Sequence, residues 1–327
     1  MTRLLVLILM ISATLFTRAY VPAKVYSQGA LARIVIKVLD HDGGVVPGVK
    51  IQGGFTCGSS LKDYVLVDCV TDTNGACVVE GRCNEFLRFT AQKDGYYQGE
   101  EKIYFGRSNA DPIVSDGKWQ PYGETRTVVL KKINQLGKLV IPDVGRPEVR
   151  SRKIPKFDCW IPFDLEKFDW NAPLGSGVHP DVLLRFRNRT TEFYYDFTYC
   201  MDVCFTNNPF AGVYEMKKDL TSDLKTSYKA DPGAEYRSSF TYTSERTRDR
   251  KRKDDYLNDD AYLVFRTRTT VDAHGRLKSA HYGTLHGVWM SARDHMVLKD
   301  GCFNATANDL DIEDGYYLRE KVKHYAE

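Results

Sequence analysis

Four groups of side chains have types and spacings that suggest chemistry. Asp309, Asp311 and Glu313 stand at alternate positions, followed by Asp314 and Gly315. Hard carboxylate oxygens at that density suit a calcium ion. An EF-type loop wants glycine sixth, and counting from Asp309 it comes seventh, so only an irregular metal site at Asp309, Asp311 and Glu313 is expected. Its plain alternative is a solvated turn. Ser222 and Lys225 fit Ser-x-x-Lys, the nucleophile and base of penicillin-interacting enzymes. That chemistry also needs a Lys-Thr-Gly element, and Lys225-Thr226-Ser227 is not one. His274, His281, His286 and His295 crowd one stretch. An odd spacing along a strand puts His281 and His286 on opposite faces, so they do not share a metal.

The aromatic residues form the fourth group. Trp119, Trp160, Trp170 and Trp289 offer flat faces, as does the run Phe193-Tyr194-Tyr195-Asp196-Phe197-Thr198-Tyr199. Such rings pack on sugars while their polar tips stay wet. Along a strand, Tyr194, Asp196 and Thr198 face one way, and Phe193, Tyr195, Phe197 and Tyr199 face the other. The second set reads as core. Tyr194, Asp196 and Trp170 are therefore the expected ligand-binding residues. A mixed-charge run, Arg246 to Lys253 with Asp249, Asp254 and Asp255, reads as a solvated loop, with polyanion binding as the functional alternative.

The elements that must position these groups are strands. The chain has 20 Tyr and 16 Phe but only 6 Met, a composition that leans toward sheet. Ile34, Ile36 and Val38 alternate with Val35, Lys37 and Leu39. Further short runs follow at Tyr64 to Val70, Cys77 to Glu80, Phe86 to Ala91 and Thr125 to Lys131, punctuated by Asn74-Gly75 and Asp94-Gly95. Asn74-Gly75 reads as a hairpin turn. Residues 134–157 hold Pro142, Pro147 and Pro155 among basic residues and read as a stiff linker. Beyond them, Val182 to Arg187, Phe193 to Phe205 and Tyr236 to Thr243 alternate, and Ala261 to Val271 and Arg276 to Met290 flank Asp272-Ala273-His274-Gly275 as a hairpin. The expected fold is all-β: an immunoglobulin- or transthyretin-like sandwich over 29–133, then a second sandwich or jelly-roll-like domain over 158–327.

The order of Leu39 to Gly48, Thr71-Asp72-Thr73-Asn74-Gly75, Asp94-Gly95-Tyr96-Tyr97 and Val128-Val129-Leu130 resembles the carboxypeptidase regulatory-like domain, a transthyretin-like sandwich. The resemblance implies an accessory or structural module without catalytic residues of its own. Insertions at Gly53 to Val65 and Gly106 to Gly123 depart from it. The segment from Phe163-Asp164-Leu165-Glu166 through Asp169-Trp170-Asn171-Ala172-Pro173 to Gly175-Ser176-Gly177 resembles one found in uncharacterised secreted bacterial proteins, and implies no activity.

Compartment and partners follow from the ends and the charges. Arg3, the apolar run Leu4 to Phe16 and Thr17-Arg18-Ala19 read as a cleavable leader over 1–19, too short for the ~20 residues of a spanning helix. No later segment is apolar enough to span a bilayer. Export favours disulfides over metal for the eight cysteines, four before the linker and four after it. Lys and Arg total 46 against 43 Asp and Glu, a balance unlike that of a general nucleic-acid binder. The expected protein is an exported, non-enzymatic binding or assembly protein of the periplasm, cell surface or medium. Its partner would be a glycan or a surface protein, and no cofactor is implied. The alternative is a glycoside hydrolase using carboxylates such as Asp196, Asp202, Glu215 or Asp311, which would need two of them about 5–9.5 Å apart across a cleft.

Overall fold

The computed structural model describes Val25 and residues 28–57, 64–105, 114–134, 139–142, 151–192, 196–206, 209–247, 249, 252–255, 261–287, 289–291 and 294–313. The leader expected at 1–19 and Tyr194 lie outside the described residues. The regular secondary structure of the described chain is almost wholly strand, and the chain divides into two compact units. No helix among the described residues is long and apolar enough to cross a membrane.

The first unit reaches Ile133 and includes Thr221–Asp223. Its strands are β1 (Ala30–Asp40), β2 (Lys50–Thr56), β3 (Tyr64–Val70), β4 (Ala76–Cys83), β5 (Phe86–Gln92), β6 (Gly99–Tyr104), β7 (Val114–Ser115), β8 (Lys118–Trp119) and β9 (Glu124–Leu130). One sheet runs β3-β2-β5-β6. The other runs β4-β1-β8-β7, with β9 parallel to β1. The alternation expected for β1 holds: Ile34, Ile36 and Val38 are buried with Ile51, Phe55, Leu87 and Phe89 between the sheets. Trp119 closes this core and donates its indole N–H to the Cys83 carbonyl at 2.7 Å. Asn74-Gly75 does not close a hairpin, because β3 ladders with β2 and β4 with β1. The turn instead carries the chain from one sheet to the other. Asp72 Oδ1 sets it by accepting from the Asn74 and Ala76 amides.

The second unit has β10 (Leu139–Val140), β11 (Ser151–Lys153), β12 (Trp160–Asp164), β13 (Asp169–Trp170), β14 (Val182–Glu192), β15 (Asp196–Phe205), β16 (Gly212–Lys217), β17 (Ser239–Arg246), β18 (Arg252–Asp255), β19 (Ala261–Val271), β20 (Leu277–His286), β21 (Trp289–Ser291), β22 (His295–Val297) and β23 (Asp300–Asn304). A six-stranded sheet runs β13-β12-β14-β15-β17-β18 and a five-stranded sheet β10-β23-β20-β19-β16. A third, β11-β22-β21, has three strands. The stretch expected as a linker therefore contributes strands: β10 pairs with β23, and β11 with β22. The hairpin at Asp272 to Gly275 joins β19 to β20 as expected, with Asp272 Oδ1 accepting from the His274 and Arg276 amides.

Both faces of β19 are covered. Leu263 and Phe265 join the core with Phe163, Trp170, Leu184, Phe186, Met201 and Val203. Val264 turns the other way, onto Ala230, Tyr282, Cys302 and Ile312. Alternation on β15 also matches expectation, since Tyr199, Met201, Val203 and Phe205 point inward. Trp170 corrects the sequence reading. It is 4% exposed, stands edge-on to Phe163 and Phe186, and donates Nε1–H to the Lys153 carbonyl at 3.0 Å. An indole with its one donor satisfied is a core residue and offers no face to a ligand. Trp170→Ala should cost about 3–5 kcal/mol of stability, as buried large aromatics do. Urea denaturation checks this, and a loss below about 1 kcal/mol would mean that the ring is not packed.

Candidate functional site

The remaining expected residues are scattered. Asp309 Oδ1 accepts from the Asp311 amide at 3.1 Å, Asp311 Oδ1 from the Glu313 amide at 3.0 Å, and Glu313 Oε1 from the Asn134 amide at 2.9 Å. Each carboxylate thus accepts from a different backbone N–H, Asp309 and Asp311 within their own turn and Glu313 from a distant segment. Among the described residues no group of three or more His, Cys, Asp or Glu is placed to hold a metal ion. Ser222 is buried outside any helix, and its backbone bridges Gly99, so it lacks the helical setting that the Ser-x-x-Lys chemistry needs. Asp196 opens β15 opposite Glu192, half-buried. His281 and His286 separate as expected. His281 Nδ1 meets the Asn304 carbonyl, while His286 is 4% exposed, with Nδ1 3.3 Å from Asp300 Oδ2 and its ring stacked on Tyr262.

Sequence reasoning missed what organises the second unit. Between β12 and β14 the chain makes a long excursion, and its aspartates fold it. Asp164, at the end of β12, accepts from the Glu166 and Lys167 amides on one oxygen and from Val178 and His179 on the other, all at 2.8–3.0 Å. Asp169 takes the Trp170 amide and Arg152 on Oδ1, and the Ser176 amide and hydroxyl on Oδ2. A Cβ on Gly175 would meet the Trp170 carbonyl at 2.4 Å, and one on Gly177 the Asp164 side chain at 2.8 Å. The Gly175-Ser176-Gly177 motif is therefore a close-approach device. At the far end, Asp181 is fully buried.

One cation closes this loop. Arg268 donates through Nε to Asp181 Oδ1 and through Nη2 to Asp181 Oδ2, both at 3.0 Å. The same guanidinium reaches Asp164 Oδ1 at 3.2 Å and pairs with Glu166. Its flat side lies 4.6 Å from the Phe303 ring centroid. Thr267 and the Leu165 amide fill the remaining Asp181 contacts. Burial works against charge on Arg268, but the bonds to Asp181 and Glu166 outweigh it and raise its pKa further. Arg268 sits at φ 48°, a left-handed conformation uncommon for a residue with a side chain, where the β19–β20 register shifts.

The outward face of the six-stranded sheet is the candidate site. Register places Trp160, Arg185, Asp202 and Thr241 in one row across β12, β14, β15 and β17. Arg187, Cys200 and Thr243 form the next row. Asp202 takes Arg185 Nε at 2.8 Å on Oδ2, and Arg187 Nη2 at 2.7 Å and Thr241 Oγ1 at 2.8 Å on Oδ1. Arg185 lies over the Trp160 ring, 4.7 Å from its centroid. Two cations share one carboxylate, so Arg185, Arg187 and Asp202 together carry one net positive charge. Both arginine side chains are partly open to solvent, at 37% and 35%, and Trp160 is 43% exposed. Trp119 and Trp170 are buried, so Trp160 is the one that offers a face among the tryptophans whose side chains are described. A planar fork beside an exposed ring is suited to carboxylate or sulfate groups on a sugar.

The signal for this site was present as Arg185, Arg187 and Arg189 at every second position of one strand. That spacing sets three guanidiniums on one face. The carboxylates of the hydrolase alternative go to separate partners. Asp202 is held by the two arginines, Glu215 pairs with Arg237, and Asp311 caps its own turn. The cavity inside the second unit is lined by apolar side chains, among them Phe163, Leu184, Met201 and Tyr242, with no carboxylate.

No family model matches the chain, and no curated protein matches it. Solved structures give weak likenesses. A 3-chlorocatechol 1,2-dioxygenase from Rhodococcus opacus 1CP is 14% identical, over 33% of this chain and 61% of that one, with a TM-score of 0.27. A dioxygenase domain of a dioxygenase–carbohydrate-binding protein fusion from Streptomyces sp. SirexAA-E is 11% identical, over 35% of this chain and 86% of that one, with a TM-score of 0.26. The match spans less than two thirds of the Rhodococcus chain. Likenesses at these scores carry no argument about chemistry.

The aspartates set an acid limit on stability. Burial alone would raise Asp164, Asp169 and Asp202. Backbone amides outweigh it at Asp164, Ser176 and Arg152 at Asp169, and Arg185, Thr241 and Arg187 at Asp202, so all three fall below the ordinary 3.8. A carboxyl with a depressed folded-state pKa stabilises above its unfolded value, and that stability is lost as pH falls through the folded value. Urea midpoints should therefore drop as pH falls below 3.8. Asp202→Asn should be weaker than the parent at pH 6 and approach it near pH 2. A deficit of equal size at both pH values would contradict this account.

Proposed function

We propose that the protein is an exported, non-enzymatic binding protein whose second unit holds an acidic glycan on the Trp160–Arg185–Arg187 face. On this reading the first unit is an accessory module of the carboxypeptidase regulatory-like kind. The observation that carries the proposal is the Arg185 guanidinium lying on the exposed Trp160 ring beside Arg187. An indole stacked with a cation gives a sugar ring a flat apolar surface and gives its carboxylate a charge-assisted partner in the same place. Asp202 fixes the two arginines before a ligand arrives, which lowers the ordering cost of binding.

Native gels cast with polygalacturonate, a uronic acid polymer, test this with the mature protein. Retardation is expected, weakening as salt rises. Arg185→Ala should weaken it roughly ten-fold, the scale of one lost hydrogen bond to a charged group. Trp160→Ala should weaken it in gels of unchanged salt. Equal retardation of parent and both variants would overturn the site. No retardation by polygalacturonate would overturn the acidic-glycan reading and leave a surface protein as the partner to seek.

A further inference from the structure

In the first unit, Cys69 and Cys77 flank the turn that carries the chain from one sheet to the other. Cys69 lies on β3 and Cys77 on β4, strands of different sheets. Their sulfurs are 2.6 Å apart, and all eight cysteines are thiols in this structure. The contact is built and not incidental. Asp72 accepts from the Asn74 and Ala76 amides at 2.8 and 2.9 Å, and Gly75 takes φ 67°. Buried Thr71 accepts from the Val49 amide at 2.9 Å and donates to the Val46 carbonyl at 3.1 Å. These bonds hold both ends of the turn, and with them both side chains. A disulfide needs sulfurs about 2.0 Å apart, so a small closing movement suffices.

We infer that Cys69 and Cys77 form a disulfide that ties the two sheets of the first unit together. The oxidant is a low-molecular-weight disulfide such as glutathione disulfide. The Cys69 thiolate, on the more exposed of the two residues, attacks it, forming a mixed disulfide and expelling one glutathione thiolate. The Cys77 thiolate then attacks Cys69 Sγ and expels the second. The two protons lost by the cysteines end on the two glutathione thiols. Burial, reinforced by Cys69, raises the Cys77 thiol, which fits its acting second. The pairing is independent of the glycan reading, since no residue of the Trp160 face takes part.

Trypsin gives a direct test, because it cuts after Lys62 and Arg82 and leaves Cys69 and Cys77 as the sole cysteines of peptide 63–82. The full chain is incubated with glutathione disulfide, alkylated with iodoacetamide without reduction, and digested. The expected peptide carries no alkyl group and is two hydrogens lighter than its reduced form. Oxidation should also raise the urea midpoint of the parent protein but not that of Cys69→Ser. A doubly alkylated peptide, or one joined to a peptide holding another cysteine, would overturn the inference.

Discussion

The ion cluster around Arg268 is the constraint on which the second unit rests. Asp181 is fully buried, and Asp164 nearly so. One guanidinium and a set of backbone amides surround them, and at Asp164 the amides outweigh burial and hold the carboxyl below its ordinary range. Losing one partner of such a buried set costs about 3–5 kcal/mol, since the remaining charge is left unpaired. The left-handed backbone at Arg268 fits that reading: an uncommon conformation is kept where the surroundings demand it. A glycine there would relieve the backbone but supply no cation.

The cluster also determines where the candidate site lies. Asp164 ends β12 and Asp181 immediately precedes β14, so Arg268 holds the two strand ends that must pair. Their ladder sets Phe163 opposite Val182 and Trp160 opposite Arg185. A slip of one residue would turn Trp160 and Arg185 to opposite faces and break the stack between them. Arg268 is no part of that row, yet it positions it.

Much of this was legible from the residues. The all-β fold, the alternation of β1 and β15, the Asp272–Gly275 hairpin and the separation of His281 from His286 follow from the period of two. What escaped was set by long-range contacts. Trp170 looked available because it sits among polar residues and turn formers. Asp164, Asp169 and Gly177 fold those residues over it, and no local pattern reports that. Asn74-Gly75 announced a turn but not its sheet partners, which are chosen by β1 and β2. The basic, proline-bearing stretch at 134–157 looked like a linker because Leu139–Val140 and Ser151–Lys153 are too short to show a period. The arginine stripe on β14 was readable and lacked only its acid partner, Asp202, which comes from another strand.

Hydrogen–deuterium exchange in Arg268→Met tests the central claim most directly. Methionine keeps much of the side-chain volume and removes the charge. If Arg268 sets the β12–β14 register, amides of Trp160–Asp164 and Val182–Glu192 should exchange many-fold faster than in the parent, while those of Ala30–Asp40 in the first unit keep their protection. Unchanged protection across the β12–β14 ladder would contradict the account.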